Sequence, residues 1–275
     1  MSTTTTLAGA SRQSYAPAPA DAHPPAPGIS FAQLCRVELV KMFNTRSGFW
    51  LAASIVILSV LATAGVLVFA PDSAITYGSF ATAIGMPMAI ILPVIAILAV
   101  TSEYSQRTGL TTYTLVPSRS RVVAAKAVVT IGIGVVGMLV ATAIGALGNL
   151  LGATVRDVDA VWRFSAYDLG LTVLANVIGV AMGFTLGVLL RNSPAAIVAY
   201  FVYSFVFPNV MGALAFYRES FHDVWPWVDL FYNQTFLYDN RPDAEGWAQL
   251  GVTAVIWLVL PLAFGLRRLM RAEVK

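Results

Sequence analysis

Six long apolar runs, separated by short polar segments, dominate the chain. They extend from Phe49 to Ala70, Phe80 to Thr101, Val122 to Leu151, Leu169 to Leu190, Pro194 to Ala215 and Ala248 to Leu266. A helix that crosses about 30 Å of hydrocarbon, at about 1.5 Å per residue, needs about 20 apolar residues. All six runs are of that order, and charges almost vanish inside them, which predicts an all-α membrane protein with six transmembrane helices. The third run is longer than a bilayer requires, so Lys126 near its start is expected to snorkel to one interface.

A shorter pattern precedes the first run. Ser30 and Gln33 have the spacing of a capping box, and Ile29 and Leu34 that of a hydrophobic staple, so a helix is predicted over residues 30–46. Phe31, Leu34, Cys35, Leu39, Met42 and Phe43 share one face, while Gln33, Arg36, Lys41 and Asn44 lie elsewhere. This fits an amphipathic helix lying in the membrane interface, although Val37, Glu38 and Val40 blur it. The alternative is a plain extension of the first span, and a hinge at Arg46-Ser47-Gly48 favours the former. The organisation predicted is a tail over 1–29, the amphipathic helix over 30–46, a six-helix domain over 47–268 and a short carboxyl end over 269–275. The tail is rich in Thr, Ala and Pro and cannot bury enough apolar surface to fold, so it is expected to be disordered.

The connections carry their own signals. In Arg191-Asn192-Ser193-Pro194, Ser193 can cap and Pro194 suits the first helical position, which predicts a tight hairpin between the fourth and fifth spans. Ser165 with Asp168 makes a similar start for the fourth span. From Phe216 to Trp247 aromatics alternate with acids and prolines, predicting interfacial or re-entrant helices between spans five and six, with an anchored loop as the alternative. Small residues at helix-contact spacing, Gly137, Ala141 and Gly145 in span three and Gly179, Gly183 and Gly187 in span four, read as packing faces.

Charge sets the orientation. Only 11% of the residues are charged and 57% are hydrophobic, which excludes an ordinary soluble domain. Thirteen of the 17 Lys and Arg residues fall before the first span, in the even-numbered connections or after the sixth span. By the positive-inside rule both termini are then cytoplasmic. The single cysteine, Cys35, excludes an internal disulfide framework.

Catalytic chemistry is not evident in the sequence. No Asp, Glu or His lies mid-span, the two histidines, His23 and His222, fall in the tail and a connection, and no phosphate-cradling Gly-x-x-x-x-Gly-Lys-Ser/Thr motif occurs. The chain is expected to be no enzyme, to hold no cofactor or metal of its own and to bind no nucleic acid. Met86, Met88, Asn176, Tyr200, Tyr203 and Asn209 are candidates for a substrate path, with ordinary helix packing as the alternative for each.

The most distinctive polar stretch runs from Ser102 through Glu103, Tyr104, Arg107, Thr108, Gly109, Leu110, Thr111, Thr112, Pro117, Ser118 and Arg119 to Lys126. Glu103 and Arg107 stand at i and i+4, and Gly109 permits a break, consistent with a short helix across the span ends. The run resembles the loop between spans two and three in permeases of the type-2 ATP-binding-cassette (ABC) exporter family, at Ser102, Glu103, Tyr104, Gly109, Thr111, Thr112, Pro117, Ser118, Arg119 and Lys126. The resemblance extends over about residues 30–270. It implies that the loop carries a cytoplasmic coupling helix docking on a separate ATPase subunit, and that the amphipathic helix, with Phe31, Leu34, Arg36 and Lys41, is an elbow helix. It further implies two permease copies and two ATPases that bind ATP and Mg, while the excess of Arg over Lys, 14 to 3, with abundant Ala, Val and Gly, points to a bacterium and hence to a bacterial plasma-membrane location. A non-transporting immunity or sensor module and an ion-coupled secondary carrier are the alternatives.

Overall fold

The computed structural model describes residues 29–105 and 119–271. Six helices are long and apolar enough to cross a membrane, and the chain is a helical multi-pass membrane protein. The spans are Arg46–Phe69, Tyr77–Ser105, Arg119–Arg156, Ala166–Leu190, Ser193–Tyr217 and Ala244–Arg271. The end of the bundle that carries residues 29 and 271 is called proximal below, and the opposite end distal.

A leading helix, Phe31–Phe43, precedes the first span. Its start follows from the capping box, since Gln33 N donates to Ser30 Oγ at 3.2 Å and Ser30 N donates to Gln33 Oε1 at 2.9 Å. The helix breaks at Asn44 and Thr45, upstream of the expected hinge, because Thr45 accepts from Gly48 N at 3.0 Å and caps the first span. Arg46, Ser47 and Gly48 therefore form the opening turn of that span. Gly48 lies under the Met42 carbonyl, where a Cβ atom would meet the oxygen at 1.6 Å. The break is thus closed to any larger residue.

The centre of the bundle is the contact between spans two and four. Span four is the most enclosed of the six, as its run of buried residues from Leu171 to Val188 shows. In lipid there is little hydrophobic drive between helices, so close backbone approach must supply the contact. Here it does: a Cβ on Gly183 would lie 2.3 Å from the Pro93 carbonyl oxygen of span two. Pro93 has no amide hydrogen, which frees the carbonyl of Ala89 four residues earlier. Tyr200 of span five fills that carbonyl with its hydroxyl at 2.7 Å. In a bilayer an unsatisfied carbonyl has no water to turn to, so this bond licenses the proline. The glycines of span three serve the same purpose toward spans one and two, with Gly137 against Ile55 and Leu92 and Gly145 against Phe80 and Ile84.

Spans five and six each contain a short π-helical stretch, Val202–Val206 and Val255–Val259. Each ends two residues before a proline, Pro208 and Pro261, where the missing amide lets the ladder shift register. Between these spans the aromatic segment is not a plain loop. After a single turn at Glu219–His222, Trp225–Val228 descends into the bundle and Leu230–Asp239 returns from it. The pair is re-entrant: Gln234 packs over Gly179 beside Pro93, near the midpoints of spans four and two, and Trp257 Nε1 donates to the Val228 carbonyl at 2.8 Å. Asp229 is fully buried at the turn, where it accepts from Tyr232 N at 3.0 Å and from Trp225 Nε1 at 2.9 Å and so caps the returning helix.

The Pro93 contact yields a direct expectation. Gly183→Ala places a methyl against rigid backbone and should lower stability by about 1–3 kcal/mol. Gly170→Ala, on the same helix with nothing within 4 Å, should be neutral or stabilising by up to about 1 kcal/mol. Thermal unfolding of the two variants in lipid nanodiscs checks the pair.

Candidate functional site

A cleft of about 650 Å³ opens at the distal end. One wall is the first half of span two, presenting Thr82, Gly85, Met86 and Ala89. The facing walls are Leu171 and Thr172 of span four, Ser204 and Phe205 in the π-helical stretch of span five, and Phe231, Thr235 and Tyr238 of the re-entrant helix. Its interior is apolar and uncharged, and its hydroxyls are largely spent on helix carbonyls. Thr172 donates to Asp168 O at 2.8 Å, Ser204 to Tyr200 O at 2.9 Å and Thr235 to Phe231 O at 3.0 Å.

The mouth is polar: Arg163, Asp168, Asn240 and Arg241 ring it with Phe164. Ser165 caps span four and shares a capping box with Asp168, as the sequence predicts, with Ser165 N donating to Asp168 Oδ2 at 2.8 Å. Arg241 crosses from the end of the re-entrant segment to the same carboxylate, with Nε 3.1 Å from Asp168 Oδ1 and Nη2 3.2 Å from Oδ2. The guanidinium also lies over the Tyr167 ring, 5.2 Å from its centroid. These contacts hold the re-entrant segment against span four at the mouth.

The candidate path residues divide. Met86 lines the cleft and is 74% exposed. Met88 is fully buried among Ile84, Leu92 and Met138. Tyr200 is spent on the Ala89 carbonyl, and Tyr203 is buried between Phe231 and Trp257. Asn176 is buried and donates to Thr172 O at 2.9 Å, and Asn209 is exposed beyond the π-helical stretch and donates to Phe205 O at 2.6 Å. The cleft instead uses Phe205, Thr235 and Tyr238, which carry no chemical signature that sets them apart in the sequence.

The proximal end holds the second feature. Lys126 does not snorkel; it is buried and its ammonium lies 2.5 Å from Glu38 Oε2. Both side chains are under 10% exposed, and Lys41 bonds the other Glu38 oxygen at 2.8 Å. Burial by itself pushes the Glu38 carboxyl up, but the Lys126 and Lys41 ammonium groups outweigh it and hold Glu38 below its ordinary value of 4.5. Leu34 and Cys35 pack beside this pair on Val122 and Ala125, and Arg121 Nη2 donates to the Ile29 carbonyl at 2.9 Å. Glu38, which blurs the expected amphipathic pattern, is thus the centre of the leading helix's contact with span three. Phe31 and Arg36 remain exposed.

Of the distinctive loop, Arg107, Thr108, Gly109, Leu110 and Thr112 lie outside the described residues, as do the tail over 1–28 and residues 272–275. Glu103 and Tyr104 occupy the last turn of span two, and only the Tyr104 side chain is described. Arg191 lies over the Tyr104 ring, 5.9 Å from its centroid. Arg191 ends span four in the left-handed region at φ 54°, and Asn192, not Ser193, caps span five. Ser193 is engaged instead with Thr101, the two hydroxyl oxygens 2.7 Å apart. The start of the loop is thereby tied to the hairpin between spans four and five. No family model and no curated protein matches the chain.

The buried ion pair is the most testable element here. Removing the carboxylate strands the buried ammonium, so Glu38→Leu should cost about 3–5 kcal/mol, and pairing it with Lys126→Met should recover much of that loss. Because Glu38 is held below 4.5, its contribution is complete above that value and drains away as pH falls below it. Thermal unfolding followed across pH should show the difference between wild type and Glu38→Gln closing in acid.

Proposed function

We propose that this chain is the permease subunit of an ABC exporter of the type-2 family, moving an amphipathic or hydrophobic substrate across a bacterial plasma membrane. The observation that carries the reading is the order of elements. A capped leading helix, six spans, a distinctive polar loop after span two and a re-entrant pair before span six follow one another as the resemblance implies. The distribution of Lys and Arg supports a cytoplasmic proximal end.

In this reading residues 103–116 form the coupling element and the leading helix is the elbow. A separate ATPase, present in two copies, binds ATP and Mg, and a second permease copy completes the path. Movement of the loop reaches the bundle by two routes: through Tyr104 and Thr101 to the hairpin at Arg191 and Ser193, and through the start of span three to Glu38. The first route ends on spans four and five, which wall the distal cleft, and the second passes along span three, whose Gly134 and Gly137 lie against Val180 of span four and Leu92 of span two. A loop pulled by ATPase closure would therefore change the cleft through rigid helices, the usual form of such transitions.

The test is an insertion of two residues at Gly109, alongside replacement of Glu103 and Arg107 together. Both variants should insert and bind the ATPase, and both should keep ATP hydrolysis while losing ATP-dependent accumulation of a fluorescent amphiphile in inside-out vesicles. Normal accumulation by a variant with its ATPase bound would refute the coupling role of the loop.

A further inference from the structure

From the cleft's charge and shape, we infer that it selects amphiphiles carrying one acidic head group and an apolar tail, with Arg163 as the head-group ligand. The inference rests on the permease reading and deepens it by placing the cargo in the cleft. Three observations carry it.

The first is the charge at the mouth. Among the described residues that line the cleft, Arg163 and Arg241 share one carboxylate, Asp168, and that carboxylate is already bonded by Arg241 and by Ser165 N. Arg163 makes no ion pair among the described residues. Among the described lining residues the mouth therefore keeps one positive charge in excess, carried by a guanidinium whose fork suits a carboxylate, sulfate or phosphate.

The second is depth. Below the mouth the lining carries no charge, and Thr172, Ser204 and Thr235 donate to helix carbonyls, so a tail meets mainly Met86, Phe205 and Phe231. A charged group drawn down there would lose its hydration without a partner. The volume of about 650 Å³ lies within the range that holds a ligand of drug or single-tail size.

The third is access. Met86 is 74% exposed and Phe205 50% exposed, so none of the described residues closes over the apolar wall there. Trp162 and Tyr167, both about half exposed, flank the mouth. Aromatics of this kind settle at the head-group level. An amphiphile in the distal leaflet would thus present its head to Arg163 as its tail slides past Met86.

The test is a binding measurement on the full chain in phosphatidylcholine nanodiscs, without ATPase. The probe is 11-(dansylamino)undecanoic acid, read by energy transfer from tryptophan, with its methyl ester as the uncharged counterpart. The acid should bind about fivefold tighter than the ester, the scale of one partly exposed ion pair. Dodecanoate should displace it and dodecylammonium should not. Arg163→Gln should bring the acid down to the affinity of the ester and leave the ester unchanged, while Met86→Trp should weaken both by filling the cleft. Equal affinities of acid and ester in wild type, or an Arg163→Gln variant that still prefers the acid, would overturn the selection. Unchanged binding of both probes to Met86→Trp would place them outside the cleft and overturn the site. Because no ATPase is present, a failure here is distinct from a failure of the permease reading.

Discussion

The contact of Pro93 with Gly183 is the constraint on which the rest of the bundle depends. It brings two backbones together where no side chain can intervene, and in doing so it removes one hydrogen bond from span two. The Tyr200 hydroxyl restores what the proline removes, and this fixes span five against span two. One turn along the same face, Gly179 leaves the space that Gln234 occupies, and this seats the re-entrant helix. Spans two, four and five and the re-entrant segment, which together wall the cleft, are therefore positioned by one small set of groups near the middle of the bundle.

At the proximal end a different force operates. The leading helix is held to span three by a buried carboxylate with two ammonium partners and by a small apolar patch. Such a pair contributes less through net attraction than through specificity, because any displacement leaves a buried charge unpaired. It fixes where the leading helix sits along span three, immediately after the polar loop. The distal mouth has a weaker counterpart in Arg241 and Asp168, which are more exposed and better suited to opening.

Much of this architecture was legible in the chain because bilayer thickness and helical rise constrain it strongly. The spans, the caps at Ser30 and Ser165, the break before the first span and the small-residue faces all follow from local patterns that lipid leaves little freedom to override. The cap of span five was displaced by one residue, because Ser193 found a stronger use in Thr101. Glu38 and Lys126 were misjudged for the same physical reason: each looks anomalous alone, and only their meeting across two helices explains either. The cleft was the least legible part. Its walls are ordinary Thr, Phe and Met residues gathered by the re-entrant segment, and no periodicity announces which of them will face a cavity. Met86 lines the cleft, whereas Tyr200 and Met88 belong to the packing beneath it.

Purifying the chain from its own membranes and measuring what accompanies it tests whether a partner's ATP hydrolysis drives this bundle. An ABC ATPase is expected in equal amount, with ATP turnover by the purified complex that is absent from the chain alone. A homogeneous preparation without ATPase that moves substrate on an ion gradient alone would contradict it.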